Sequence, residues 1–210
     1  MHNPKSLKNA AALAGALILF SCADAPPKPD AKAQATKEPI KAAEPSPARA
    51  AYFKMYKPAY EWSKDVQLLS MNNKSLAGMN GSGGKEAAWE AVLVSASKKQ
   101  SRRAICSEID SGAEVPKGVT FGAAMPWGGP TREFQPFRNS DFAVDSDAAY
   151  ATASAKAAAW LKTHPNEKLN VLLAKASHYA TPVWVFNWGD KKSGYVAIVN
   201  ATSGDIISPN

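Results

Sequence analysis

The sequence predicts an α+β fold: an antiparallel sheet with helices packed on one face, assembled from a helix-plus-strands unit that occurs twice. Three observations predict it. Between Ser146 and His164 apolar side chains recur every three or four residues, and Pro165 then stops the run. Beyond it the chain breaks into short β-branched and aromatic runs divided by glycine-bearing turns. The same order, helix then strands, recurs more faintly over residues 51–115.

Taken in order, Ala50 to Lys64 has helical composition, with Pro58 expected to kink or interrupt it. Val66 to Met71 reads as a short strand and Gly78 to Gly84 as a flexible glycine-rich loop. Trp89 to Ala96 and Arg103 to Ile109 read as a hairpin around Ser97 to Arg102. Residues 116–142 hold four prolines and several aromatics, too broken for regular structure and too aromatic for a flexible linker. In the second half, Asp145 or Ser146 can cap the helix start, and Asp147 places negative charge in the first turn. Tyr150, Ala153, Ala157, Trp160 and Leu161 form its apolar face. Leu169 to Ser177, Val183 to Trp188 and Tyr195 to Val199 are the expected strands, with Ile206-Ile207 returning to the sheet edge. Laid together without gaps, Val94–Gly112 and Phe186–Gly204 share Lys99/Lys191, Ser101/Ser193 and the closing Ser-Gly. Those four identities in 19 positions are few, so the duplication rests on the order of elements.

The second half resembles a PepSY-like domain. The likeness lies in Ser146-Asp-Ala-Ala-Tyr150, Ala158-Ala-Trp-Leu-Lys162, Pro182-Val-Trp-Val-Phe186, and the run from Gly194 through Asn200-Ala-Thr-Ser-Gly204 to Ile206. It covers about 143–210 and, more faintly, 51–112. It implies a helix packed on a strand hairpin, and a role in peptidase inhibition or in ligand or partner binding in the bacterial envelope. It assigns no catalytic residue.

At the N-terminus Lys5 and Lys8 precede the apolar run Ala10 to Phe20, the layout of a signal peptide over 1–21. Eleven helical residues rise only about 16 Å, half of what a bilayer core needs. Leu19-Phe-Ser-Cys22 resembles the bacterial lipobox, with Phe20 bulkier than usual, and this implies acylation of Cys22. Two or three acyl chains would then anchor the protein stably. Ala23 rather than aspartate follows the cysteine, which favours the outer membrane over the inner. Residues 22–50 are rich in Pro, Ala, Lys and Glu and read as a disordered tether. The globular part is then periplasmic or surface-exposed.

The formal charge of +7 falls to 18 bases against 14 acids over residues 51–210, too mild an excess for a nucleic-acid binder. Enzyme signatures are missing. Gly78 to Lys85 departs from a phosphate loop in spacing and has Glu86 where a hydroxyl residue belongs. His164 and His178 have no paired ligand spacing, and Asp141, Asp145 and Asp147 suit caps. Cys106 suits a small buried role. The expectation is a non-enzymatic binding module without metal or cofactor. A protease-inhibitory or chaperone-like module is the alternative, and a cell-wall hydrolase lacks an evident acid–base pair. Candidate contacts to an envelope protein, peptide or anionic polymer are Lys98, Lys99, Arg102 and Arg103 around the first hairpin turn, and Lys191 and Lys192 in the second. Trp188 is the most exposed-looking ring near that turn, and Trp127 stands out in the connecting segment.

Overall fold

A computed structural model describes residues 43–190 and 193–207. The signal segment, Cys22, most of the tether, Lys191 and Lys192 lie outside the described residues.

The first half runs α1 (Ala48–Trp62), β1 (Gln67–Lys74), β2 (Ala88–Ser95), β3 (Gln100–Ser107) and β4 (Gly118–Phe121), with the two-residue β5 (Met125–Pro126) after it. The second runs α2 (Ser146–Lys156), α3 (Ala158–Thr163), β6 (Leu169–Ala174), β7 (Val183–Trp188), β8 (Tyr195–Asn200) and β9 (Ile206–Ile207). All nine described strands join one antiparallel sheet in the order β4-β3-β2-β1-β6-β7-β8-β9, with β5 beside β3. The first strands of the two halves therefore meet at the centre. Their ladder is short, Ser70 to Asn72 against Leu172 to Ala174. At one end residues 135–137 fill the splayed gap: Gln135 N donates to Lys175 O, and Phe137 exchanges backbone hydrogen bonds with Leu68. At the other, Asn73 extends the pairing through its side chain, which accepts from Val171 N and donates to Leu169 O.

Because side chains alternate along a strand, one sheet face collects Leu68, Met71, Trp89, Ala91, Leu93, Ala104, Cys106, Val171, Leu173, Trp184, Phe186, Trp188, Ala197 and Val199, all buried. The helices close over this face. α1 buries Ala48, Ala51, Tyr52, Met55 and Ala59; α2 and the residue after it bury Ser146, Ala149, Ala153 and Ala157. These positions correspond one for one at an offset of 98 residues, with half-buried Tyr150 answering Tyr52. Alanines at the crossing let helix backbones approach the sheet, so the large rings fill the space between. At the centre Trp89 and Trp184 meet edge to face, 6.3 Å between centroids. Each indole N–H donates to a carbonyl two residues ahead of its own half's helix, Trp89 to Ser46 and Trp184 to Val144.

The two helix N-termini share one cap. Asp145 Oδ1 accepts from Ser146 N at 2.7 Å and from Arg49 N at 2.9 Å. Ser146 Oγ accepts from Ala48 N and donates to Gly84 O, fully buried. Pro47, which cannot cap α1 itself, is thus relieved by residues almost a hundred positions away.

Several boundaries differ from expectation. Order begins before residue 51, because Ser46 exchanges backbone bonds with Glu86 and α1 starts at Ala48. α1 runs through Pro58 without ending there. The first hairpin turn tightens to 96–99, with Lys99 at φ 50°, so β3 starts at Gln100. The second helix divides at Ala157. The segment 116–142 is more regular than its prolines suggest: it supplies the edge strand β4, then β5, and buries Phe137 and Phe142 in the core.

Candidate functional site

The basic residues around the first turn do not converge. Lys98 and Lys99 are exposed at the tip, and half-buried Trp127 sits beside them with its backbone N–H on Lys99 O. Arg102 and Arg103 are neighbours on β3 and so point to opposite faces. Arg102 lies over Phe121 and Trp62 and donates to Gly122 O. Arg103 stands on the other face within 3.4 Å of Glu90. Trp188 corrects the sequence reading. It is 3% exposed, because β7 turns all three of its aromatic rings onto the helix-covered face.

The other chemistry-bearing side chains serve the fold. Asp141 accepts from Arg138 N, Asp145 caps two helices, and Asp147 accepts from Ala148 N. His164 stacks on Trp160 at the end of α3, 4.2 Å between rings. Cys106 is buried under α1, which pushes its thiol pKa up. Asp65 accepts from Ser63 Oγ, Ser95 Oγ and Ser97 N, and these bonds hold its carboxyl well below the usual range.

Two concave or open surfaces remain. The first is a cleft of about 580 Å³ at the end of the sheet beyond Asn73. One wall is the glycine-rich segment with Asn80, Gly81 and Ser82; the other is Asn166, Glu167 and Lys168 between α3 and β6. Tyr150, Trp188 and Glu86 line the floor between these walls. Two tight turns, bridged at Leu76–Met79 and Ser82–Lys85, shape the glycine wall. At Gly84 (φ +78°) a Cβ would lie 2.4 Å from Ser146 O, and at Gly81 it would lie 2.0 Å from Glu86 Oε2. Only glycine lets the loop lie this close to α2 and to the carboxyl. Glu86 is 6% exposed, and burial raises its pKa. Its carboxyl has one hydrogen bond, from Asn73 Nδ2 at 3.2 Å, and among the described residues no cation pairs with it.

The second surface is the sheet face away from the helices, which no helix covers among the described residues. Val92, Ile105, Leu172, Val185 and Ile198 are half-buried on it, and Val196 is 53% exposed. Near its centre Asn72, Asn170 and Asn187 surround a groove of about 450 Å³ walled by Leu172, Val185 and Phe134. Asn187 Oδ1 is buried and has no hydrogen-bond partner among the described residues.

Neither surface was singled out from the sequence. Glu86 stands between the glycine cluster with Lys85 and the start of Ala87-Ala-Trp89, and an acid at the head of that run was the available signal.

No known protein family matches the chain, and no curated protein does. Among solved structures, the crystal structure of a candidate lipoprotein from Clostridium difficile 630 superposes with a TM-score of 0.43 at 9% identity. The match covers 75% of this chain and 90% of that one.

Proposed function

We propose that this is a lipid-anchored bacterial envelope protein, outer membrane rather than inner, whose folded domain is a PepSY-like binding module without catalytic activity. The observation that carries the binding reading is the 580 Å³ cleft closing on a buried carboxyl that pairs with no cation among the described residues. Pockets of this size with a few convergent polar groups suit small organic ligands. The deployment of Asp141, Asp145, Asp147 and Cys106 in caps and core supports a non-catalytic reading. The one-for-one match of buried helix positions at an offset of 98, and the paired indole bonds, support a duplicated unit. Anchoring rests on the Leu19-Phe-Ser-Cys22 motif and the composition of the tether.

Fractionation of cells expressing the full chain or Cys22→Ser, with mass spectrometry of the mature N-terminus, tests the anchor. The expected result is an acylated Cys22 peptide in the outer membrane and soluble or uncleaved variant. An unmodified Cys22 peptide from the membrane fraction would end the proposal. Peptidoglycan turnover abolished by Glu86→Gln would make the cleft that of a hydrolase instead.

A second reading draws on the uncovered sheet face, whose apolar side chains suit a protein partner, as an inhibitory or chaperone-like module needs. Val196→Asp would then abolish complex formation and leave ligand binding in the cleft intact.

A further inference from the structure

We propose that the cleft between the glycine-rich segment and the α3–β6 connection binds a primary ammonium group, with Glu86 as its counter-ion. This rests on reading the cleft as the binding site and names the chemistry of its ligand.

Structural need does not account for the carboxyl. The backbone of Glu86 is held by Ser46 in both directions, N to O at 3.0 Å and O from N at 2.9 Å. Asn73, its one side-chain partner among the described residues, has its amide N–H satisfied by Leu169 O at 3.1 Å and its oxygen by Val171 N at 2.8 Å. A glutamine at 86 could still accept the amide bond from Asn73. What the acid adds is charge, and a nearly buried charge with no opposite partner among the described residues is costly to maintain. Gly81 packs against the carboxyl so closely that no side chain fits there, so backbone rather than a charged side chain walls that side of Oε2.

The rest of the lining suits an organic cation. Glu167 and Lys168 offset each other in charge at the rim, so Glu86 sets the sign at the floor. The half-buried Tyr150 ring lines the cleft and supplies an aromatic group there for a cation. Side-chain carbonyls of Asn80 and Asn166 can accept the remaining N–H bonds. A divalent metal fits poorly, since among the described residues no three His, Cys, Asp or Glu side chains cluster. The volume also exceeds what a hydrated ion fills and matches an amine carried on a larger molecule.

The test is calorimetric and NMR titration of the protein with three amines: cadaverine, Nα-acetyl-lysine amide and glucosamine. Their neutral counterparts are pentanol, Nα-acetyl-norleucine amide and N-acetylglucosamine. The expected result is saturable binding of at least one amine, at least tenfold weaker for its neutral counterpart and for Glu86→Gln. The amine that binds tightest separates a polyamine, a lysine-bearing peptide and an amino sugar as sources. Should Glu86→Gln fail to fold, Asn80→Trp, at an exposed rim position, fills the cleft without touching Glu86 and should also abolish binding. Failure of all three amines, or equal binding by a neutral counterpart, overturns the ammonium assignment. A neutral probe blocked by Asn80→Trp overturns only that assignment and keeps the cleft as the site. Amine binding unaffected by Asn80→Trp overturns the cleft as well.

Discussion

Replacing Asp145 by Ala removes one oxygen on which two helices depend, so its effect should exceed that of an ordinary cap. Oδ1 accepts from Ser146 N at 2.7 Å, opening α2, and from Arg49 N at 2.9 Å, opening α1. A lost N-cap costs about 1 kcal/mol, within a range of roughly 0.5–2. Two ends losing their acceptor together should cost about 2–3 kcal/mol. The loss is not larger because Ser146 Oγ still holds Ala48 N at 2.9 Å. For a folded domain of this size each kcal/mol lowers the melting temperature by roughly 2–4 °C, so a fall of about 4–12 °C is expected. Urea unfolding of the purified protein, read by far-UV circular dichroism, measures it directly. Asp145→Asn keeps an acceptor oxygen and should lose less than half as much. A change within about 0.5 kcal/mol of zero for Asp145→Ala would refute the shared cap. So would equal losses for the alanine and asparagine variants.

Three further outcomes follow from the same contacts. Trp184→Phe keeps most of the ring packing against Trp89 but strands the Val144 carbonyl, and should cost about 1–3 kcal/mol by urea unfolding. Glu86 has a folded pKa raised by burial, so its ionisation opposes folding: its contribution should improve as pH falls from neutral through the folded pKa and level off below the unfolded value near 4.5. Glu86→Gln should remove that component from the stability profile, and an unchanged profile would contradict it; Asp65, with its pKa lowered, acts in the opposite sense only in stronger acid. Because Arg102 and Arg103 face opposite ways, replacing Lys98 and Lys99 by Ser should weaken binding to anionic vesicles as much as replacing all four bases. Equal binding by the double variant and the wild type, with loss only in the quadruple, would contradict this geometry.

What was legible in the sequence was what short-range periodicity encodes. Trp184 and Phe186 alternate along one strand, and Tyr150, Ala153 and Ala157 recur along a helix, so both elements could be read locally. The joining of the halves could not. Asp145 meets Arg49 across 96 residues, and Asn73 meets Val171 across 98; neither residue type in its own surroundings announces such a partner. Trp188 was misplaced because nearness to a turn suggests exposure, whereas strand parity and the cover of Tyr150 decide its burial. From the sequence Glu86 marks only a departure from a phosphate loop, because a glycine cluster reads as flexibility. Its close approach to Gly81 exists only once β2 is seated beside Ser46.

The central claim, that the domain works by binding a ligand in the cleft beyond Asn73, is tested most directly by site-specific photo-crosslinking in intact cells. A photoreactive residue would replace Ser82 at the cleft rim or Val196 on the uncovered sheet face, both exposed. The account predicts one discrete adduct from position 82, lost when Asn80→Trp fills the cleft, with the anchored protein otherwise unchanged. An adduct from position 196 and none from position 82 would contradict it and move the binding surface to the open face of the sheet.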